Sequence, residues 1–174
     1  MEQVILVDAQ DREIGLMEKM EAHRRGLMHR AVSVFVFNDR EELLLQQRAV
    51  NKYHSAQKWS NTCCTHPSPG EIPLIAAQRR LGEEMGLTVP LTEVFTFSYH
   101  ADTGNGFIEN EFDHVFFGLS SQSPEPDPNE VSDWKWITME ALKYGLIRNH
   151  EEYSPWLLQC FDKVFKHKSE WSVN

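Results

Sequence analysis

Hydrophobic and polar positions alternate in short runs along most of this chain. Val4–Val7 is a brief apolar run that reads as a strand. Ala31–Phe37 (AVSVFVF) is β-branched and aromatic, and so is a stronger strand candidate. The polar cluster Asn38-Asp39-Arg40-Glu41 then marks a turn, with Leu43–Gln47 as the returning strand of a hairpin. Ser60–Thr65 also reads as extended, and further strands are expected at Val94–Tyr99, Phe112–Leu119 and Trp134–Ile137. The period changes at Pro73. Proline suits a first helical turn because its missing N–H would be unpaired there anyway, and Leu74, Ala77, Leu81 and Met85 fall near one helical face up to Gly86. A last helix is expected from Ser154 as cap and Pro155 as first residue, burying Trp156, Leu157, Cys160, Phe161 and Val164. Ser123–Pro128 carries three prolines and reads as a loop. The pattern predicts one α/β (α+β) domain over 1–174, core about 4–165, with a mixed sheet packed between helices.

Composition narrows the functional classes. A formal net charge of -9 argues against general nucleic-acid binding, which needs a positive field to meet phosphates. A small phosphorylated ligand held by a few local cations or by metal ions stays open. No apolar run is long enough to span a bilayer, and the N-terminus shows no secretory pattern. The three cysteines, two of them adjacent, do not form a disulfide framework. A reduced, cytoplasmic protein without membrane or nucleic-acid partners is expected. Nothing in the pattern separates a monomer from a simple homodimer.

Three groups of residues suggest chemistry. His23 and His29 precede the strand at Ala31. Cys64 and His66 lie two apart in an extended segment, which puts both side chains on one face. Glu109 and Glu111 repeat that spacing just before another strand. Three imidazoles and two carboxylates together approach an octahedral shell for manganese, zinc or another borderline divalent ion. Each pair alone is more often solvated surface than a site, and nothing in the spacing joins the three segments.

A resemblance joins them. Thr65–Leu87 resembles a degenerate Nudix box. It keeps Glu71, Arg79, Leu81, Glu83, Glu84, Gly86 and Leu87, but has Thr65 in place of the first glycine and Arg80 in place of a glutamate. The segments Leu27–Ala31, Gln47–Ala49, Trp59–Pro67, Arg79–Gly86, Glu109–Glu111 and Ser154–Trp156 are, in order, similar to the type I isopentenyl-diphosphate isomerases, a Nudix-fold branch. That resemblance implies double-bond isomerisation of isopentenyl diphosphate to dimethylallyl diphosphate. It implies His23, His29, His66, Glu109 and Glu111 as ligands of a Mn2+ or Zn2+ ion. It implies Cys64 and Glu111 as the proton-transfer pair with Tyr99 and Trp156 lining the alkene pocket. Lys19, Arg48, Lys52 and Arg80 would contact the diphosphate, and Glu84 would bind Mg2+ together with it. For the forward step Glu111 is expected as acid and Cys64 as base. His54, His100, His114, His150 and His167 match no ligand position and are read as structural or surface residues. The alternatives are a Nudix pyrophosphohydrolase of a nucleoside diphosphate derivative, supported by Glu83 and Glu84, and a module in which the metal is only structural.

Overall fold

The computed structural model describes residues 2–52, 54–104 and 106–171. The described residues form nine strands in one mixed sheet: β1 (Gln3–Val7), β2 (Glu13–Glu18), β3 (His29–Phe37), β4 (Leu43–Arg48), β5 (Trp59–Ser60), β6 (Cys63–Thr65), β7 (Leu91–Gly104), β8 (Phe107–Leu119) and β9 (Val131–Ile137). Four helices accompany them: α1 (Lys19–Arg25), α2 (Pro73–Met85), α3 (Met139–Arg148) and α4 (Pro155–Glu170).

β3 is the axis. One edge runs parallel to β8 from His29↔Glu111 to Phe37↔Leu119. The other edge is shared by three antiparallel partners: β1 at His29, β6 at Val32–Val34 and β4 at Phe37. Strand alternation then sorts the β3 side chains. Phe35 and Phe37 pack with Leu43, Phe117, Leu142, Leu157 and Phe161, which places α3 and α4 on that face. Val34 and Val36 pack with Leu44, Phe116, Ala77, Leu81 and Met85, which places α2 on the other. The mixed sheet between helices that the pattern predicts is the architecture observed.

Several local expectations need correction. Ser60–Thr65 is not one extended run; it breaks into β5 and β6 at Asn61 and Thr62. Side chains replace the backbone ladder at the break. Thr62 Oγ1 donates to Leu44 O and accepts from Val36 N, while Asn61 Nδ2 donates to Val34 O and Cys63 O. Ser154 occupies the cap position of α4 but makes no side-chain cap bond; its hydroxyl donates to Ser60 Oγ at 3.2 Å. The Glu109–Glu111 segment lies inside β8, and β7 and β8 are longer than predicted.

The ends of α2 follow from sequence chemistry. Pro73 opens it and Gly86 closes it with φ 65°. A side chain at Gly86 would also meet Glu125 O at 2.6 Å, because the proline-rich loop lies across this end. Glu125 N and Asp127 N donate to Met85 O and Glu84 O, and the turn that follows carries Glu130.

Candidate metal centre and active-site cleft

The row His29–Glu111–Tyr99 runs straight across β3, β8 and β7, because these residues are in register. Glu109 sits two residues along β8 from Glu111, on the same face. His23 arrives from α1, a seven-residue helix held by Glu18 at its start and a left-handed Gly26 at its end. His66 follows β6. Together His23, His29, His66, Glu109 and Glu111 place one ligand atom each within 4.8 Å of all the others. This convergence joins the segments that spacing alone leaves separate.

The donor set fits a divalent cation. His23 Nδ1 donates to Lys19 O at 2.6 Å and His29 Nδ1 to Leu27 O at 2.8 Å. Each bond turns the ring so that Nε2, the atom a cation would take, faces the cluster. His29 Nε2 lies 3.2 Å from His66 Nε2, and His66 Nε2 lies 2.8 Å from Glu111 Oε1. Burial drives the His66 ring well below the ordinary histidine range, with His29 adding to the effect, so it stays neutral. Burial works to raise Glu109 and Glu111. For Glu109 the bonds from His23 and His54 outweigh it; for Glu111 the His29 ring and the Tyr99 hydroxyl do so and hold the carboxyl down at about 2. Both are carboxylates at neutral pH, as cation ligands must be.

Cys64 faces the same cleft from β6, where it is paired with Ser33 of β3. Alternation turns its neighbour Cys63 toward α2. Asn61 governs the thiol. Its amide nitrogen is committed to two carbonyls, so Oδ1 must face the cleft side, where it accepts from Cys64 Sγ at 3.0 Å and from Trp156 Nε1 at 3.1 Å. Burial pushes the thiol up, and so does nearby Asp113. Asp113 is the third acid on this face of β8. Burial raises it well above the carboxylate range, with the Glu111 charge adding to the effect, and Ser33 Oγ donates to it at 2.6 Å. Across the cleft, Tyr99 Oη donates to Glu111 Oε2 at 2.5 Å, and burial pushes this phenol well up. Trp156 is both core and cleft wall: it packs with Leu157 and Phe161, while its indole N–H donates to Ser60 Oγ at 2.8 Å.

These features match known proteins along the whole fold. The NUDIX domain family model matches residues 27–157. "Isopentenyl-diphosphate Delta-isomerase 1" of Aromatoleum aromaticum is 52% identical over 169 residues, 97% of this chain and 96% of that protein. "Isopentenyl-diphosphate Delta-isomerase" of Pectobacterium atrosepticum is 46% identical over 162 residues, 93% of this chain and 90% of that protein. The chain belongs to the isopentenyl-diphosphate isomerase branch of the NUDIX family. Among solved structures, DR0079 of Deinococcus radiodurans superposes with a TM-score of 0.77 at 20% identity, covering 93% of this chain and 98% of that one, which is a likeness of fold.

In this NUDIX scaffold the cleft opens toward α2 and has a volume of about 660 Å³. Its mouth carries Lys19, Arg48, Lys52 and Arg80, so the cations named from sequence are gathered in one place. Three of them meet carboxylates there, while the Arg48 guanidinium stands 5.1 Å from the Trp156 ring centroid. Lys19 Nζ lies 3.2 Å from Glu2 Oε1, and Lys52 is bonded to Glu130. Arg80 reaches Glu84 Oε1 at 2.6 Å, Glu83 Oε2 at 2.8 Å and Glu130 Oε2 at 3.1 Å. Glu84 is buried and also accepts from Gln46 Nε2 at 2.8 Å. Arg79 lies beside them on α2 and forms a bidentate pair with Glu71, 2.8 Å at each contact, which ties the preceding loop to the helix.

Sequence reasoning missed four residues of this cleft. Glu130 belongs to the loop after the proline-rich run, and no spacing links it to Lys52. Asn61 and Asp113 lie beside named residues, but their roles depend on strand pairing. His54 was read as structural or surface; it is buried, and its Nε2 lies 2.9 Å from Glu109 Oε1.

Proposed function

We propose that this protein is a double-bond isomerase that interconverts isopentenyl diphosphate and dimethylallyl diphosphate. The observation that carries the reading is the placement of a thiol, Cys64, and a tyrosine-bonded carboxylate, Glu111, on one cleft with a five-donor nitrogen and oxygen cluster. Moving the double bond requires a proton at the terminal alkene carbon and removal of another from the carbon two bonds away. An unactivated alkene is a poor base, so the acid must be positioned and water excluded from the tertiary cation that develops.

Cys64 and Glu111, the expected proton-transfer pair, both line this cleft. Burial keeps the proton on Cys64, whereas Glu111 is ionised. Between them they deliver one proton to the alkene carbon and take up the proton that leaves, with Tyr99 Oη holding the second oxygen of Glu111. Trp156 offers a π face to the cation, a contact of about 2 kcal/mol when desolvated. Lys19, Arg48, Lys52 and Arg80 bind the diphosphate and so orient the alkene end. His23, His29, His66, Glu109 and Glu111 are suited to a Mn2+ or Zn2+ ion, and Glu84 to Mg2+ bound with the diphosphate. Such cations would supply fixed positive charge that organises the carboxylates and the substrate anion.

The hydrolase reading is weaker at Arg80. Where that chemistry uses a carboxylate, this chain has a cation engaged with Glu83, Glu84 and Glu130. No helix among the described residues is long and apolar enough to cross a membrane. A cytoplasmic setting would keep Cys63, Cys64 and Cys160, all free thiols, reduced.

The test is incubation with isopentenyl diphosphate, Mg2+ and Mn2+, followed by proton NMR, beside a phosphate-release assay on nucleoside diphosphate derivatives. Dimethylallyl diphosphate is the expected product. Phosphate release from the nucleotides without isomerisation would overturn the reading.

A further inference from the structure

Glu109 uses its two oxygens differently. Oε2 lies 3.2 Å from His23 Nε2, within the five-donor cluster. Oε1 lies 2.9 Å from Nε2 of His54, a residue outside that cluster. The His54 side chain is only 3% exposed, so water does not compete for this contact. Its ring also stands edge-on to Trp156, with centroids 5.8 Å apart and planes at 86°, and its backbone oxygen accepts from Arg48 Nη2 at 3.3 Å.

The loop that presents His54 is shaped for it. Ser55 and Gln57 both take left-handed backbone conformations, φ 50° and 62°, which non-glycine residues rarely adopt. Gln57 N donates to Arg48 O and Lys58 N to Ser55 O, which hold the loop in that path. Strained loop residues of this kind persist only where the surroundings over-determine them.

We propose that His54 is a positioning residue whose Nε2–H holds Glu109 Oε1, so that Glu109 presents only Oε2 to a divalent cation. A carboxylate with one unrestrained oxygen can rotate between one-atom and two-atom coordination. A buried donor on the second oxygen removes that freedom and fixes the ligand direction. The role is indirect: His54 lines the cleft, lies outside the five-donor cluster and acts through Glu109. The inference rests on the five-residue cluster holding a cation.

The experiment is a calorimetric titration of the metal-free full-length protein with Mn2+, for the natural chain, His54→Phe and His54→Gln. Phe keeps a ring beside Trp156 but has no donor; Gln keeps a donor. His54→Phe should bind Mn2+ about 10–100-fold more weakly. At saturating Mn2+ it should lower kcat and leave KM for isopentenyl diphosphate unchanged. His54→Gln should restore affinity to within roughly threefold of the natural chain. Equal Mn2+ affinity in the Phe variant, or a Gln variant as weak as Phe, would overturn the proposal. If the variants do not fold, long-range 1H–15N NMR of the natural chain with Zn2+ decides: a proton on His54 Nε2 supports it, and a proton on Nδ1 alone rejects it. Failure of the natural chain itself to bind Mn2+ would reject the cation site, and this inference with it; an unaffected His54→Phe would reject this inference alone.

Discussion

The two ends of the cleft are built on opposite principles. At the closed end, His23, His29, Glu109 and Glu111 are buried, their orientations set by backbone carbonyls, by strand register and by Tyr99. At the mouth, Lys19, Lys52 and Arg80 are part-exposed and already bonded to Glu2, Glu83, Glu84 and Glu130. The closed end is organised before anything binds. On the proposed function the mouth exchanges partners, giving up protein carboxylates to meet a diphosphate. Chemistry that needs fixed proton positions sits where nothing has to move, and anion capture sits where exchange is cheap.

The comparison breaks most sharply at the closed end. Cys64→Ala should lower kcat by on the order of 10²–10⁴-fold, the range for a positioned acid or base, while Mn2+ affinity measured by calorimetry stays at the natural value. Glu111→Gln should lose activity on the same scale and also lose Mn2+ affinity. Full turnover in Cys64→Ala would reject the thiol as a proton-transfer group. At the mouth the effects should be smaller and fall on binding. Arg48→Ala should raise KM for isopentenyl diphosphate on the order of tenfold to a hundredfold, with little change in kcat, since a charge-assisted contact is worth about 1.5–3 kcal/mol. Added salt should raise KM further and leave Mn2+ affinity in the buried cluster nearly constant, because screening acts on exposed charges.

A fourth variant tests partner exchange directly. Glu130→Gln removes a competitor for Lys52 and Arg80. KM should fall by roughly two- to threefold, in keeping with the small worth of exposed ion pairs. A rise in KM would mean that Glu130 helps to position those cations.

The smallest effect concerns stability. The Arg79 guanidinium holds the Glu71 carboxyl below its usual range. A depressed folded pKa stabilises the fold above the unfolded value, near 4.5, and that stabilisation is lost as pH falls through the folded value. Urea midpoints of the natural chain and Glu71→Gln should therefore differ at pH 7 and converge toward pH 3. A gap that widens in acid would contradict the pairing.

What the sequence discloses divides along physical lines. β3, β4, α2 and α4 are legible because burial on one or both faces imposes a strong apolar pattern. β2 is largely exposed, with Ile14 and Leu16 facing outward, so its pattern carries no such signal. α1 is seven residues long and is capped by a glutamate, too short for a helical period to emerge. α3 is broken in pattern by Gly145, where a side chain would run into Tyr153 Oη. Within the site, His23, His29, His66, Glu109 and Glu111 become visible through family resemblance. Asn61, Asp113 and Glu130 acquire their places only through strand pairing and loop closure, and His54 only through a left-handed turn that no periodicity marks.

The central claim is that a proton is added to the substrate alkene from an exchangeable protein group. Running the reaction in heavy water with isopentenyl diphosphate tests it most directly, because thiol and carboxyl protons exchange with solvent. The account predicts deuterium in a methyl group of dimethylallyl diphosphate by NMR. Dimethylallyl diphosphate formed without deuterium would contradict it.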